Sequence, residues 1–289
     1  MRTPGSTPVV VGLSGTAAGV AAVRLGAREA VARGRSLKVV HAFAWAGPDT
    51  HGGHRDWASA RRAATQLTRT ALTTARRTSP GVRVVTELLD GSPTRVLVQQ
   101  SRAADLVVLG DGAPPAAGGM PAHDSTLMQV VSRAWCPALV ARGPRPPSGR
   151  VVAAVDGSAA ALEALRHAGD EARRRRLGVD VVHVIAEPAP EAQARGREVL
   201  AAAVAAVPGL PSVRTRLLTG DPARVLERAS RHARLLVIGP RGADGATLLG
   251  PVATHLLRRC ACPTLFVHGS TAQWRCAAGT AHAAGTAAD

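Results

Sequence analysis

Residues 106–141 (LVVLGDGAPPAAGGMPAHDSTLMQVVSRAWCPALVA) and 235–267 (LLVIGPRGADGATLLGPVATHLLRRCACPTLFV) follow one pattern. Each is an apolar run ending in glycine, a loop of small residues, a helical pattern, a cysteine–proline pair and a second apolar run. Earlier stretches pair in the same way: 9–16 (VVVGLSGT) with 151–158 (VVAAVDGS), and Val39-Val40-His41 with Val181-Val182-His183. One domain is therefore written twice. The pairs Ser14/Asp156 and His41/His183 keep one spacing, Gly91/Gly220 and Gly110/Gly239 a shorter one, and Cys136/Cys262 one shorter still. The second copy is thus thirteen residues shorter between its second and third strands and three shorter in the glycine loop.

Within each copy, short apolar runs alternate with helical patterns. Strands are expected at 8–13, 37–43, 82–88, 105–109 and 137–141, and again at 150–155, 179–185, 213–218, 235–238 and 263–267. Helices are expected at 17–33, 57–78, 94–102 and from about 125, and at 160–177, 190–207, 222–231 and 251–259. Near-continuous apolar strands suit a parallel sheet covered on both faces, and right-handed crossovers put helices there. The expected class is α/β: two tandem Rossmann-like domains, each a five-stranded parallel sheet of order 3-2-1-4-5 with helices on both faces. Ser92 is expected to cap the helix that Pro93 starts. The boundaries are a first domain at 1–143, a proline-rich linker at 144–149, a second domain at 150–269 and a disordered tail at 270–289.

In that strand order the chain reverses direction between strands one and four. Ligands of open α/β sheets bind there, outside the carboxyl ends of the strands. Asp156 then stands beside Gly239, and Ser14 beside Gly110. A glycine loop entering a helix offers backbone N–H groups to an anion, and phosphate is the natural guest.

The net charge of +16 comes almost wholly from arginine, Lys38 being the only lysine. The arginines are spread over many helices and not interleaved with aromatics, so the stacking platform of a single-strand nucleic-acid binder is missing. No stretch reaches the ~18 apolar residues of a membrane span, and no secretory h-region precedes the first strand, which points to a cytoplasmic protein. Cys136, Cys260, Cys262 and Cys276 form no spaced framework and are expected as reduced thiols. Cys-x-Cys is not the usual zinc pair, and His51-Gly52-Gly53-His54 reads as a mobile surface loop, so no metal site is assigned. No lysine of a P-loop follows the glycines, and no nucleophile stands with a base, so no catalytic residue is assigned. His41 and His183 read as locally bonded strand-end residues, and Arg173–Arg176 as a solvated run that complements the helix dipole.

The V-D-G-S opening, the V-V-H strand end, the G-x-x-G loop and the Cys-Pro pair, recurring in outline, make the chain resemble a tandem universal stress protein from about residue 8 to 268. The resemblance implies a stress-response regulatory module that binds ATP or AMP/ADP, with Asp156 and Val184 meeting the adenine, Gly239 beside the ribose, and Gly242 and Gly250 holding phosphates. The second copy departs from the family's ATP pattern: seven residues, not nine, separate Gly242 from Gly250, and Pro251 stands where Ser or Thr is expected. The first departs further, with Ser14 for the aspartate, Ala113 for the second glycine and Asp124-Ser125 at the third, so nucleotide is expected only in the second copy. The alternative is a ligand-free interaction scaffold whose sheets pair within the chain or in a homodimer, as family dimers do through their last strands.

Overall fold

The computed structural model describes residues 7–45, 56–112, 125–142, 149–240 and 249–268. The first half runs β1 (Val9–Gly12), α1 (Ala17–Ala32), β2 (Leu37–Phe43), α2 (Trp57–Thr78), β3 (Val84–Asp90), α3 (Pro93–Ser101), β4 (Leu106–Gly110), α4 (Thr126–Arg133) and β5 (Ala138–Ala141). The second repeats it as β6 (Val151–Ala154), α5 (Ala159–Arg175), β7 (Val179–Ile185), α6 (Pro190–Ala206), β8 (Val213–Thr219), α7 (Pro222–Ser230), β9 (Leu235–Ile238), α8 (Pro251–Arg259) and β10 (Thr264–Phe266). The tail, the linker up to residue 148, the His51–His54 loop and the centres of both glycine loops lie outside the described residues.

Each half has the expected strand order, but the expectation of two sheets is corrected. The order β3-β2-β1-β4-β5-β10-β9-β6-β7-β8 is one ten-stranded sheet. All pairings are parallel except the central one, where β5 meets β10 antiparallel with Thr264 opposite Val140, Leu265 opposite Leu139 and Phe266 opposite Ala138. The physical reason lies in the last strand of each copy, which is buried on both faces and would otherwise leave its outer edge unpaired. Side chains alternate along a strand. Leu139, Ala141, Leu265 and Val267 accordingly join the core under α1, α2, α5 and α6. Ala138, Val140 and Phe266 join the one under α3, α4, α7 and α8. Both cores cross the junction.

Polar contacts at the junction obey the same pseudo-two-fold relation. Arg142 donates to the Leu257 carbonyl, and its mate His268 donates through Nε2 to the Val131 carbonyl at 2.7 Å. On the α1/α5 side, Glu29 and Arg33 repeat as Glu171 and Arg175. Arg33 pairs with Glu171 across the junction, and Arg175 with Glu29 at 2.5 Å. Arg33 also meets Asp105 at 3.0 Å, and Arg174 meets Glu171 at 2.7 Å. Burial pulls the Arg175 pKa down, but the Glu29 and Glu171 carboxylates outweigh it and hold the value above that of a free arginine. The expectation that Arg173–Arg176 is a solvated run is therefore corrected at Arg175, because α1 lies within reach of the end of α5. Arg173 instead donates to the Gly209 carbonyl at 2.9 Å and to Asp170 at 2.7 Å.

Local signals behave as the chemistry of caps requires. Asp56, Ser125, Ser158 and Asp221 each accept a helix N–H through the side chain, whereas Ser92 stands at the N-cap of α3 without making that bond. The equivalent Asp221 takes the Arg224 N–H at 2.9 Å.

Candidate functional site

Between β6 and β9 the sheet reverses its winding, and the strand ends open a crevice whose first wall is the turn after β6. Val155 is pinned from both sides: its N–H donates to the Val182 carbonyl at 2.9 Å and its carbonyl accepts from His183 Nδ1 at 2.8 Å. A carbonyl only accepts, so Nδ1 carries the proton and a neutral His183 ring keeps Nε2 as its acceptor. His41 does the same to the Leu13 carbonyl at 2.9 Å, which makes both histidines anchors of the turn.

From that fixed point the chain exposes Asp156. One carboxylate oxygen, Oδ1, accepts the Ser158 N–H at 3.0 Å, Gly157 takes φ +84, and Ser158 Oγ caps the Ala161 N–H at 3.1 Å. The turn is thus built by Asp156 Oδ1, on a residue that stays exposed. In the first half Ser14 supplies no charge, and its hydroxyl lies 2.8 Å from Thr16 Oγ1, the atom that caps α1.

Val184 sits half-buried on β7, two residues beyond Val182, whose partner Ala154 ends β6. Because strand N–H and C=O groups alternate sides, and the Val182 carbonyl points to β6, the Val184 N–H and C=O point the same way, into the crevice where β6 has already turned off. A donor and an acceptor side by side suit a heterocycle edge.

Gly239 ends β9 against the first turn of α5. A Cβ there would lie 3.2 Å from Ala160 Cβ and 3.4 Å from its carbonyl atoms, so the glycine lets strand end and helix approach. The mate Gly110 is tighter, since its Cβ would stand 2.5 Å from the Ala18 oxygen. Gly250 is buried at the N-cap of α8 with its N–H given to the Pro240 carbonyl at 2.8 Å, a bond that closes the base of the glycine loop. Gly242 lies outside the described residues. No side chain caps α8, and Pro251 at its first position has no N–H, so the first turn presents the N–H groups of the next two residues. In α4 Ser125 Oγ already takes the Met128 N–H at 3.3 Å.

The structure thus brings Asp156, Val184 and Gly239 to one crevice with Gly250 at its rim. Sequence reasoning had not assigned Val155 and Ser158, which hold the turn. The signal for Ser158 was its place three residues before Ala161, the spacing of an N-cap bond. Among the described residues no group of three or more His, Cys, Asp or Glu side chains stands together as metal ligands. Among them no helix is long and apolar enough to cross a membrane.

A parallel α/β sheet that reverses its winding, duplicated and joined edge to edge, defines a tandem Rossmann-like protein. A model of the Universal stress protein family matches it twice, at residues 6–142 and 147–268, and the chain belongs to that family. A universal stress protein of Mycobacterium tuberculosis is 30% identical over 293 aligned positions, covering 91% of this chain and 97% of its own length. One from Mycolicibacterium smegmatis is 28% identical, covering 90% of this chain and 96% of its own. The crystal structure of a universal stress protein from Archaeoglobus fulgidus shares the fold at a TM-score of 0.67 and 15% identity, covering 91% of this chain and 98% of that one.

Proposed function

We propose that the chain is a cytoplasmic stress-response regulator that binds an adenine nucleotide in its second half, through Asp156, Val184, Gly239, Gly242 and Gly250, without catalysing its turnover. The observation that carries the reading is the contrast between the two crevices. Around Asp156 an exposed carboxylate, the Val184 backbone pair and an uncapped α8 face one space, whereas in the first half Ser14 lies against Thr16 and Ser125 caps α4. Adenine carries a ring-nitrogen acceptor beside an amino donor, which the Val184 N–H and C=O match in sense. The uncapped helix start favours the phosphate end, but with the Gly250 amide committed to Pro240 and Pro251 giving none, few donors reach a γ-phosphate. AMP and ADP then bind nearly as well as ATP. The two halves pair within the chain through β5 and β10, which uses the edge a homodimer of single domains would need.

Titration calorimetry of the full chain with AMP, ADP and ATP tests this. Asp156→Ala weakens all three, Gly242→Val abolishes binding, and Ala113→Val leaves it unchanged. Loss on Ala113→Val with retention on Gly242→Val would mean the halves are assigned the wrong way round. Sustained ATP hydrolysis abolished by Asp156→Ala would overturn the non-catalytic part. A full chain that binds none of the three, and carries no nucleotide when denatured straight after purification, would leave the scaffold reading.

A further inference from the structure

The turn that joins α8 to β10 holds two thiols that the nucleotide reading does not use. Cys260 Sγ and Cys262 Sγ stand 3.9 Å apart, both buried. Their surroundings are polar for a core site. Ser230 Oγ donates to the Glu227 carbonyl at 2.6 Å and accepts the Ala261 N–H at 2.9 Å, Thr264 Oγ1 donates to the Cys262 carbonyl at 3.2 Å, and the Arg142 guanidinium holds the Leu257 carbonyl. Arg142 Nε is buried without a hydrogen-bond partner.

The repeat supplies an internal comparison. The first half makes the same turn: Ser101 Oγ accepts the Trp135 N–H at 3.0 Å just as Ser230 Oγ accepts the Ala261 N–H at 2.9 Å. There Ala134 stands for Cys260, and Cys136 for Cys262. Alone in that setting, Cys136 is pushed up to about 12 by burial and is inert as a nucleophile. Cys260 goes the other way, held below the ordinary thiol value by the hydrogen bond from Cys262, which outweighs desolvation, while Cys262 is pushed up as the donor. One backbone turn thus carries a single buried thiol in one half and a pair of thiols within hydrogen-bonding distance in the other.

We infer that Cys260 and Cys262 are a redox modification site, a dithiol that a small two-electron oxidant of the peroxide class converts to an intramolecular disulfide at the junction of the two halves. The Cys260 thiolate attacks one peroxide oxygen, the O–O bond breaks, and Cys260 becomes a sulfenic acid while the other oxygen leaves as hydroxide and takes up a proton as water. Cys262 sulfur then attacks Cys260 sulfur; the S–S bond forms, the S–O bond breaks, and hydroxide leaves with the Cys262 proton as a second water. Two thiols lose two electrons to one peroxide. The sulfurs need to close from 3.9 Å to roughly 2 Å, within reach of side-chain rotation and a small adjustment of the turn. That turn feeds directly into β10, the strand that pairs with β5, and lies beside Arg142, so the modification is read where the halves meet.

The test uses the folded, reduced full chain carrying Cys276→Ser, treated with hydrogen peroxide, quenched by alkylation and analysed by peptide mass spectrometry. The expected result is a dithiothreitol-reversible loss of two hydrogens from the Cys260–Cys262 peptide, at a rate roughly tenfold or more above any change at Cys136. With Cys262→Ser, dimedone traps the sulfenic acid on Cys260; with Cys260→Ser, Cys262 stays reduced at the same dose. Circular dichroism of each variant before treatment shows that the fold is intact. Oxidation of Cys136 at an equal rate would overturn the inference, as would a disulfide that forms only in urea, or a Cys262→Ser protein in which no adduct appears at Cys260.

Discussion

Glu171 is the residue whose loss tests the joint between the halves most directly. Its side chain is 1% exposed and receives Arg33 from the other half, Arg175 one turn along its own helix, and Arg174 at 2.7 Å. Glu171→Ala removes that carboxylate and leaves two largely buried guanidinium groups, 7% exposed at Arg33 and 16% at Arg175. Removing one partner of a buried pair costs about 3–5 kcal/mol, because the stranded charge keeps its desolvation penalty. Arg33 retains Asp105 at 3.0 Å and Arg175 retains Glu29 at 2.5 Å, which places the loss at the lower end, about 3 kcal/mol. Urea unfolding of the full chain measures it as a fall in midpoint at unchanged slope. A cycle with Arg33→Met and Glu171→Leu separates pair from residue. The single changes each cost more than the double, since a matched apolar pair strands nothing. If the single costs add to the double within about 0.5 kcal/mol, the two residues are not coupled and the cross-junction pair contributes nothing.

Other outcomes follow from the same contacts. Gly110→Ala destabilises by on the order of 1–3 kcal/mol through overpacking, since its Cβ would sit 2.5 Å from the backbone oxygen of Ala18, whereas Gly239→Ala costs less because Ala160 Cβ, at 3.2 Å, has only tenths of an ångström to yield. Thermal unfolding of the two variants checks the order, and equal shifts would contradict the packing account. His167 is held below its ordinary value by desolvation, which outweighs the carboxylates of Glu163, Asp170 and Glu171. The unfolded chain therefore takes up the proton first, so this residue lowers stability as pH falls from the unfolded value near 6.5 to the folded one; His167→Gln flattens that part of a stability–pH curve. Asp56 is held low first by the Ser59 N–H and then by the Ser59 hydroxyl. Its contribution to α2 is present above the unfolded carboxylate value and lost as pH falls through the folded one, so the protection of amides at the start of α2, taken relative to their intrinsic exchange at each pH, falls in acid in the native chain and much less in Asp56→Asn.

Periodicity and glycine placement were enough to read the element order from the sequence, because a run such as Leu235–Ile238 followed by glycine admits few local structures. Helix α2 begins and ends where Trp57 and the Ser79-Pro80-Gly81 stop indicate. The union of the sheets was not legible as a sheet, since residues 138–141 are apolar on both faces whether their free edge meets solvent, a second chain or β10. Glu29 with Arg33 and Glu171 with Arg175 were visible as a repeated charge pattern, yet a helix-surface pair with that spacing is usually solvated. Only the approach of α1 to the end of α5 turns an i,i+4 pair into a cross-junction cluster. At the crevice, Asp156 and Gly239 could be named from topology. The Gly250 bond to Pro240 depends on the path of the loop, which residue type does not reveal.

The symmetry that survives in one place and fails in the other has an energetic cause. At the junction each charged residue serves both halves, so replacing Glu29 alone takes a carboxylate from Arg33 and Arg175 together and leaves Glu171 shared between them, and a stable revision needs simultaneous changes on two helices. At the crevice, Ser14 and Asp156 are both exposed and each bonds only within its own turn, through Thr16 in one case and Ser158 in the other. An exchange there alters one local hydrogen bond and little of the core, so it changes what the crevice attracts at a stability cost within the few tenths of a kcal/mol, about 0.5, expected of a surface substitution. The thiol turn lies between these extremes: Ala134 and Cys260 both fit a buried site, and the exchange alters reactivity without opening a cavity larger than one sulfur atom. A duplicated chain built this way keeps its frame and is free to give its halves different chemistry, the exposed Asp156 carboxylate and the paired thiols both falling to the second.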